Sequence, residues 1–193
     1  MKNYNYDFEE RNRYEENFVE NNSALIEELT GASRVFDISR TPMDKRSGVD
    51  AILQFDRGLS GVALRIRKPQ YKKFSKRLTI GHHISQPNSQ IHCILNSTND
   101  SNVFYPHLVL QVNGVDEEGY CKECYAIMLQ RNVFANYLKE LIKTNTLEDY
   151  CNTRLNAYEF EFTEVFYQTD TGVDLFRIQN NNIKYVKTHE ESS

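Results

Sequence analysis

The chain has 193 residues, 39% of them hydrophobic and 26% charged, with a net charge of −4, 12 Tyr, 11 Phe and no Trp. That length suits one domain with a full core and argues against two independent ones, and the composition excludes disorder except at the two ends. No apolar run approaches the roughly 18–20 residues that span a bilayer, and residues 1–14 are polar, so a cytoplasmic protein without a membrane partner is expected.

Residues 7–29 carry Phe8, Tyr14, Phe18, Leu25, Ile26 and Leu29 at helix-compatible spacing, with no Pro or Gly before Gly31. Asn21, Asn22 and Ser23 divide this segment, with Ser23 as the expected cap of its second part. β-Branched and aromatic runs bounded by Pro, Gly, Asp and Ser then predict strands at 35–38, 49–55, 61–66 and 77–80. The connection 56–61 reads as a hairpin loop, which sets Asp50 and the segment bearing Arg65 and Arg67 on adjacent antiparallel strands under about 5 Å apart. Further strands are predicted at 103–112 and 120–129. Val133, Phe134, Tyr137, Leu138, Leu141 and Ile142 recur with helical spacing and predict an amphipathic helix over 131–143. A short helix is expected over 147–154. Alternating Tyr158, Phe160 and Phe162, with Val165 and Phe166, then the turn residues Asp170, Thr171 and Gly172, then a strand at 173–178, predict a terminal β-hairpin, extended by 183–186 after the asparagines at 180–182. The expected fold is α/β, a mixed central sheet flanked by helices. It comprises a helical segment 1–30, a core 31–145 and a C-terminal β addition 146–193 within one domain.

Charge is distributed unevenly, because residues 34–77 hold 12 basic and 4 acidic side chains. The run from 65 to 77 contains Arg65, Arg67, Lys68, Lys72, Lys73, Lys76 and Arg77, no acid, and the interleaved aromatics Tyr71 and Phe74. Such a run can neutralise several phosphates with release of counterions, while its aromatics stack on unpaired bases, so a nucleic acid is the expected partner, DNA before RNA. A solvated loop that serves solubility is the competing reading. Arg65 and Arg67, two apart on a strand, share a face and can grip phosphate oxygens in pairs. The acidic ends suit a protein partner or a second copy of the chain.

A helix, a strand, Gly48-Val49-Asp50 opening the next strand, a turn, and then Val62-Ala63-Leu64-Arg65-Ile66-Arg67 follow one another in this sequence. This order resembles the core of the PD-(D/E)xK, or restriction-endonuclease-like, superfamily over roughly residues 20–145. The resemblance implies an acid near the second strand, matched by Asp50, and an acidic-x-Lys on the third. Together these hold divalent metal that activates water against a phosphodiester. It implies Mg²⁺ as cofactor and Asp50 and Arg67 as catalytic residues, while the basic run itself offers Arg65, Arg67, Lys68, Tyr71, Lys72, Lys73, Lys76 and Arg77 as nucleic-acid contacts. Ala63-Leu64-Arg65 lacks the second carboxylate, so Glu28 and Asp44 are the expected further metal ligands, with Glu27 and Asp37 as alternatives. Two functions follow: a small metal-dependent nuclease acting on DNA, or a nuclease-like binding or adaptor protein of a phage, mobile-element or defence complex that does not cut. A structural pairing of Asp50 with Arg65 or Arg67 is the plain alternative.

Cys121-Lys122-Glu123-Cys124 has the spacing of a zinc knuckle, but a structural zinc needs four ligands and only Cys93, Cys151, His92 and His107 remain to complete it. Zinc is not expected, nor a thioredoxin-like pair, since the stretch reads as a strand; two core thiols are. Of His82 and His83, adjacent on a strand end, at most one can face a site. The sequence has no Gly-rich phosphate loop, Gly-x-Ser-x-Gly elbow or His-Glu-x-x-His helix.

Overall fold

A computed structural model describes residues 4–38, 41, 48–70, 76–81, 91, 94–95, 106–154, 157–161 and 170–186, with side chains from residue 13 onward. The N-terminal segment forms two helices, α1 (Tyr4–Asn21) and α2 (Ser23–Thr30), divided where the polar residues predict. Ser23 is not the cap. Asn22 takes that position, and its buried side chain is spent elsewhere: Nδ2 donates to the carbonyls of Phe18 at 2.8 Å and Gly119 at 2.6 Å, and Oδ1 accepts the Cys121 N–H at 3.2 Å.

Ten strands follow among the described residues: β1 (Arg34–Asp37), β2 (Ala51–Phe55), β3 (Gly58–Arg67), β4 (Arg77–Gly81), β5 (Leu108–Asn113), β6 (Glu123–Gln130), β7 (Cys151–Arg154), β8 (Ala157–Glu161), β9 (Val173–Gln179) and β10 (Asn182–Tyr185). Between β6 and β7 lie helices α3 (Arg131–Thr144) and α4 (Leu147–Tyr150). Seven strands form one mixed sheet in the order β1-β2-β3-β5-β6-β9-β10, and three form a second in the order β4-β8-β7. Within the large sheet only the β3–β5 pair is parallel. The crossover that joins those two strands contains β4, which leaves the large sheet for the small one.

Two expectations are corrected here. The segment 147–154 is one helical turn followed by a strand, and the strand at Tyr158 pairs with β7 and β4, not with 173–178. Alternation marks which side of a strand is buried but not which strand lies beside it, and β4, about 80 residues upstream, supplies the neighbour. The strand at 173–178 instead pairs with β6 and, around Asn180 and Asn181, with β10. Both turn residues have positive φ, 50° and 62°, as a two-residue hairpin loop requires.

Each face of the large sheet buries a core. On one side Phe18, Leu25, Ile26 and Leu29 of the N-terminal helices pack on Leu53, Val62, Leu64, Leu110, Val112 and Ala126. On the other, Phe134, Leu138 and Leu141 of α3, with Leu78, Ile80 and Phe160 of the small sheet, cover Val109, Ile127, Leu129 and Leu175. Each buried Val, Leu, Ile or Phe among them is worth about 1.5–3 kcal/mol, and β5 and β6, covered on both sides, are the centre of the molecule.

The loop between β5 and β6 fastens α1 to the sheet. Tyr14 donates from its hydroxyl to the Val115 carbonyl at 2.8 Å, and burial pushes that phenol well above its ordinary range. Gly119, at φ +89°, passes so close to α1 that a Cβ there would sit 3.0 Å from the Asn17 carbonyl carbon. Asp116 organises the turn, accepting the N–H groups of Tyr120 at 2.8 Å and Glu118 at 3.1 Å and pairing with the Lys122 ammonium at 2.8 Å. Beyond it the buried Cys121 and Cys124 are paired with each other, Cα to Cα 5.7 Å, instead of being two separate thiols; Cys151 is buried and free.

Desolvation pushes the Asp116 carboxyl upward, but Lys122 and the two N–H groups outweigh it and hold the group below its ordinary value of 3.8. A folded-state pKa below the unfolded one contributes stability above about pH 4 that is lost as pH falls through the lowered value. Asp116→Asn is therefore expected to lower stability at pH 7, with the difference from wild type shrinking toward pH 3 in paired urea titrations. Asn22→Ala, which strands the Gly119 carbonyl and the Cys121 N–H, should cost about 2–3 kcal/mol at either pH.

Candidate functional site

The β2–β3 hairpin brings Asp50 beside the basic strand. Asp50 stands one step before the Ala51–Val62 pair, so its counterpart on β3 is Ala63. Its N–H donates to the Val62 carbonyl at 2.9 Å, its carbonyl accepts from Ile38 at 3.1 Å, and its Oδ2 accepts the Leu64 N–H at 2.5 Å. The ladder between β2 and β3 ends here, and the carboxylate provides an acceptor for a strand N–H beyond that end.

Ala63, Arg65 and Arg67 alternate with the first-core residues Val62 and Leu64 and so share the opposite side, where Ala63 joins the second core. Arg65 and Arg67 lie next to Gln111 and Asn113 of β5, both buried. Arg65 donates from Nη1 to the Thr79 carbonyl of β4 at 2.6 Å. Gln111 accepts the Thr79 N–H at 3.0 Å and donates to the Arg77 carbonyl at 2.7 Å and to Asn113 Oδ1 at 3.2 Å. One edge of β4 pairs with β8, and the backbone groups of Arg77 and Thr79 on its other edge are met by these side chains.

Two described members of the rest of the basic run are drawn to other acids. Lys68 pairs with Glu117 at 3.2 Å and lies over the Tyr14 ring, 5.6 Å from its centre, on the α1 side of the sheet. Arg77 is held between Glu159, at 3.8 Å, and Glu161 of β8. Arg67 is half-buried at the end of β3, and Lys76 is exposed. Tyr71, Lys72, Lys73, Asp44, His82, His83, His92 and Cys93 lie outside the described residues. Glu28 is exposed on α2, and among the described residues no three His, Cys, Asp or Glu side chains converge. Of the ligands expected for Mg²⁺, which relies on one or two carboxylates with room for several waters, Asp50 accepts a backbone N–H on Oδ2 and stands opposite Ala63, so that no second carboxylate faces it across the β2–β3 pair.

Sequence reasoning missed Gln111 and Asn113. The available signal was two amides at i and i+2 within the otherwise apolar run 108–113, which places both on one buried face. It also missed Arg177 and Lys184, which β9 and β10 set directly opposite each other. No helix among the described residues is long and apolar enough to cross a membrane. No protein-family model, no curated protein and no solved structure matches this chain.

Gln111→Leu keeps the volume of the side chain but leaves the Thr79 N–H and the Arg77 carbonyl without their partner, and is expected to destabilise the protein by about 3 kcal/mol in urea unfolding. Asp50→Ala should cost about 1–2 kcal/mol by the same measurement. An unchanged midpoint in both variants would show that these groups are not needed for folding.

Proposed function

We propose that this protein is a nuclease-like nucleic-acid-binding module, directed at DNA, that does not cut by itself. One observation carries the reading: the Asp50 carboxylate accepts the Leu64 N–H, and the residue opposite it on β3 is Ala63 and not a second acid. A lone carboxylate so engaged is a poor holder of the divalent ion that phosphodiester hydrolysis of this kind requires. The density of Lys and Arg between 65 and 77 supports affinity for phosphates. Since Lys68 and Arg77 have acidic protein partners, Lys72, Lys73 and Lys76 are the residues assigned to the nucleic acid.

The rival reading, a metal-dependent nuclease, is favoured by a different observation: Asp50 heads the second strand beside a basic third strand, as the superfamily resemblance implies. It needs a further carboxylate, for which Asp44 is the candidate upstream of Asp50.

Fluorescence anisotropy with a labelled duplex and a single strand, between 50 and 200 mM salt, tests the proposal. Affinity should fall steeply with salt, drop at least about tenfold in the Lys72→Glu, Lys73→Glu double variant, and be unchanged in Asp50→Asn. With Mg²⁺ or Mn²⁺ present the DNA should stay intact. Metal-dependent cutting that Asp50→Ala abolishes would replace this reading with the nuclease, and a chain that holds neither DNA would sink both.

A further inference from the structure

The β9–β10 hairpin places Arg177 directly opposite Lys184, and Gln179 opposite Asn182. Like charges in facing positions repel and destabilise a ladder unless an anion is shared between them. The relief available within the protein is small. Glu123 of β6 approaches Arg177 only to 3.9 Å and is half exposed, and Lys184 has no ion-pair partner among the described residues. The Nε of Arg177 is buried without a hydrogen-bond partner, a donor whose desolvation is uncompensated.

These groups border a cavity of about 410 Å³ lined by Arg177, Gln179, Asn180, Asn182, Ile183 and Lys184. That volume falls within the range of about 300–1,000 Å³ usual for small-molecule sites and well above what a bare phosphate needs. Two cations, one a planar guanidinium fork, suit phosphate oxygens, and three carboxamide side chains offer the mixed donors and acceptors that match the edges of a nucleobase. Among the described residues no acid lines the cavity. The turn that closes it is fixed, because the Asn180 N–H donates to the Lys122 carbonyl at 2.9 Å.

We infer that this cavity is a nucleotide site, in which Arg177 and Lys184 hold the phosphate and Gln179, Asn180 and Asn182 meet the base or sugar. The nucleotide is either free or one unit of a single strand. The site is independent of the proposed function, since it uses neither Asp50 nor the basic run.

Isothermal titration of the full chain with AMP and, separately, with a ten-residue oligothymidylate distinguishes the two sources. Lys184→Gln and Asn182→Asp alter exposed side chains, and thermal melts of the ligand-free variants should lie no lower than wild type, since Lys184→Gln also removes a like-charge contact. Both variants should weaken binding about tenfold, the second by adding an acid to the phosphate's surroundings. Weakened AMP binding assigns a free nucleotide; an effect on the oligonucleotide alone assigns a strand. No binding of either ligand, or binding that both variants leave intact, overturns the inference and leaves Lys184 as a charge that guards an edge strand. DNA binding lost in the Lys72→Glu, Lys73→Glu variant, in a chain whose AMP and oligothymidylate binding Lys184→Gln leaves intact, overturns it while sparing the proposed function. AMP binding that Lys184→Gln removes, in a protein that holds no DNA, does the reverse.

Discussion

The side-chain amide of Gln111 is the interaction on which the arrangement of the two sheets rests. It behaves as a further peptide unit, accepting the Thr79 N–H and donating to the Arg77 carbonyl, so that β4 is hydrogen-bonded on both edges although, among the described residues, a strand stands on only one. An exposed strand edge invites pairing with other chains, and a buried one without partners would cost several unsatisfied backbone groups. Gln111, with Arg65 on the Thr79 carbonyl, removes both problems and fixes where the small sheet lies over the large one.

That use of Arg65 bears on function. A guanidinium committed to a carbonyl of the protein is held in place and partly neutralised as a donor, so β3 presents fewer free cations than its sequence suggests. The same applies to Lys68, drawn to Glu117 and the Tyr14 ring, and to Arg77, drawn to two glutamates of β8. Arg65, Lys68 and Arg77 of the basic run are therefore divided among three surroundings: the sheet interior, the α1 side and the second sheet. The facing cations of β9 and β10 lie at the far edge of the same large sheet.

On the opposite face the loop between β5 and β6 has a comparable role. Tyr14 and Val115 are 101 residues apart in sequence and Asn22 and Gly119 are 97 apart, yet their hydrogen bonds and the close approach of Gly119 hold α1 against the strands. Each of these contacts satisfies a backbone group that the helix end or the loop would otherwise bury unpaired.

The sequence by itself determined the local elements. Helical spacing located α1, α2 and α3, the turn residues at 56–61 located the β2–β3 hairpin, and that hairpin put Asp50 beside the strand of Arg65 and Arg67. These features depend on neighbours a few residues away, which periodicity and turn chemistry report directly. Tertiary structure alone decided that β8 pairs with β4 and not with β9, that Asp50 binds a backbone N–H, that Ala63 is its counterpart, and that Arg177 faces Lys184. Alternating side chains reveal a strand and its buried side, whereas register and partner are set by the packing of two cores against a sheet covered on both faces. That is a global balance of burial and hydrogen bonding that no local window of sequence contains.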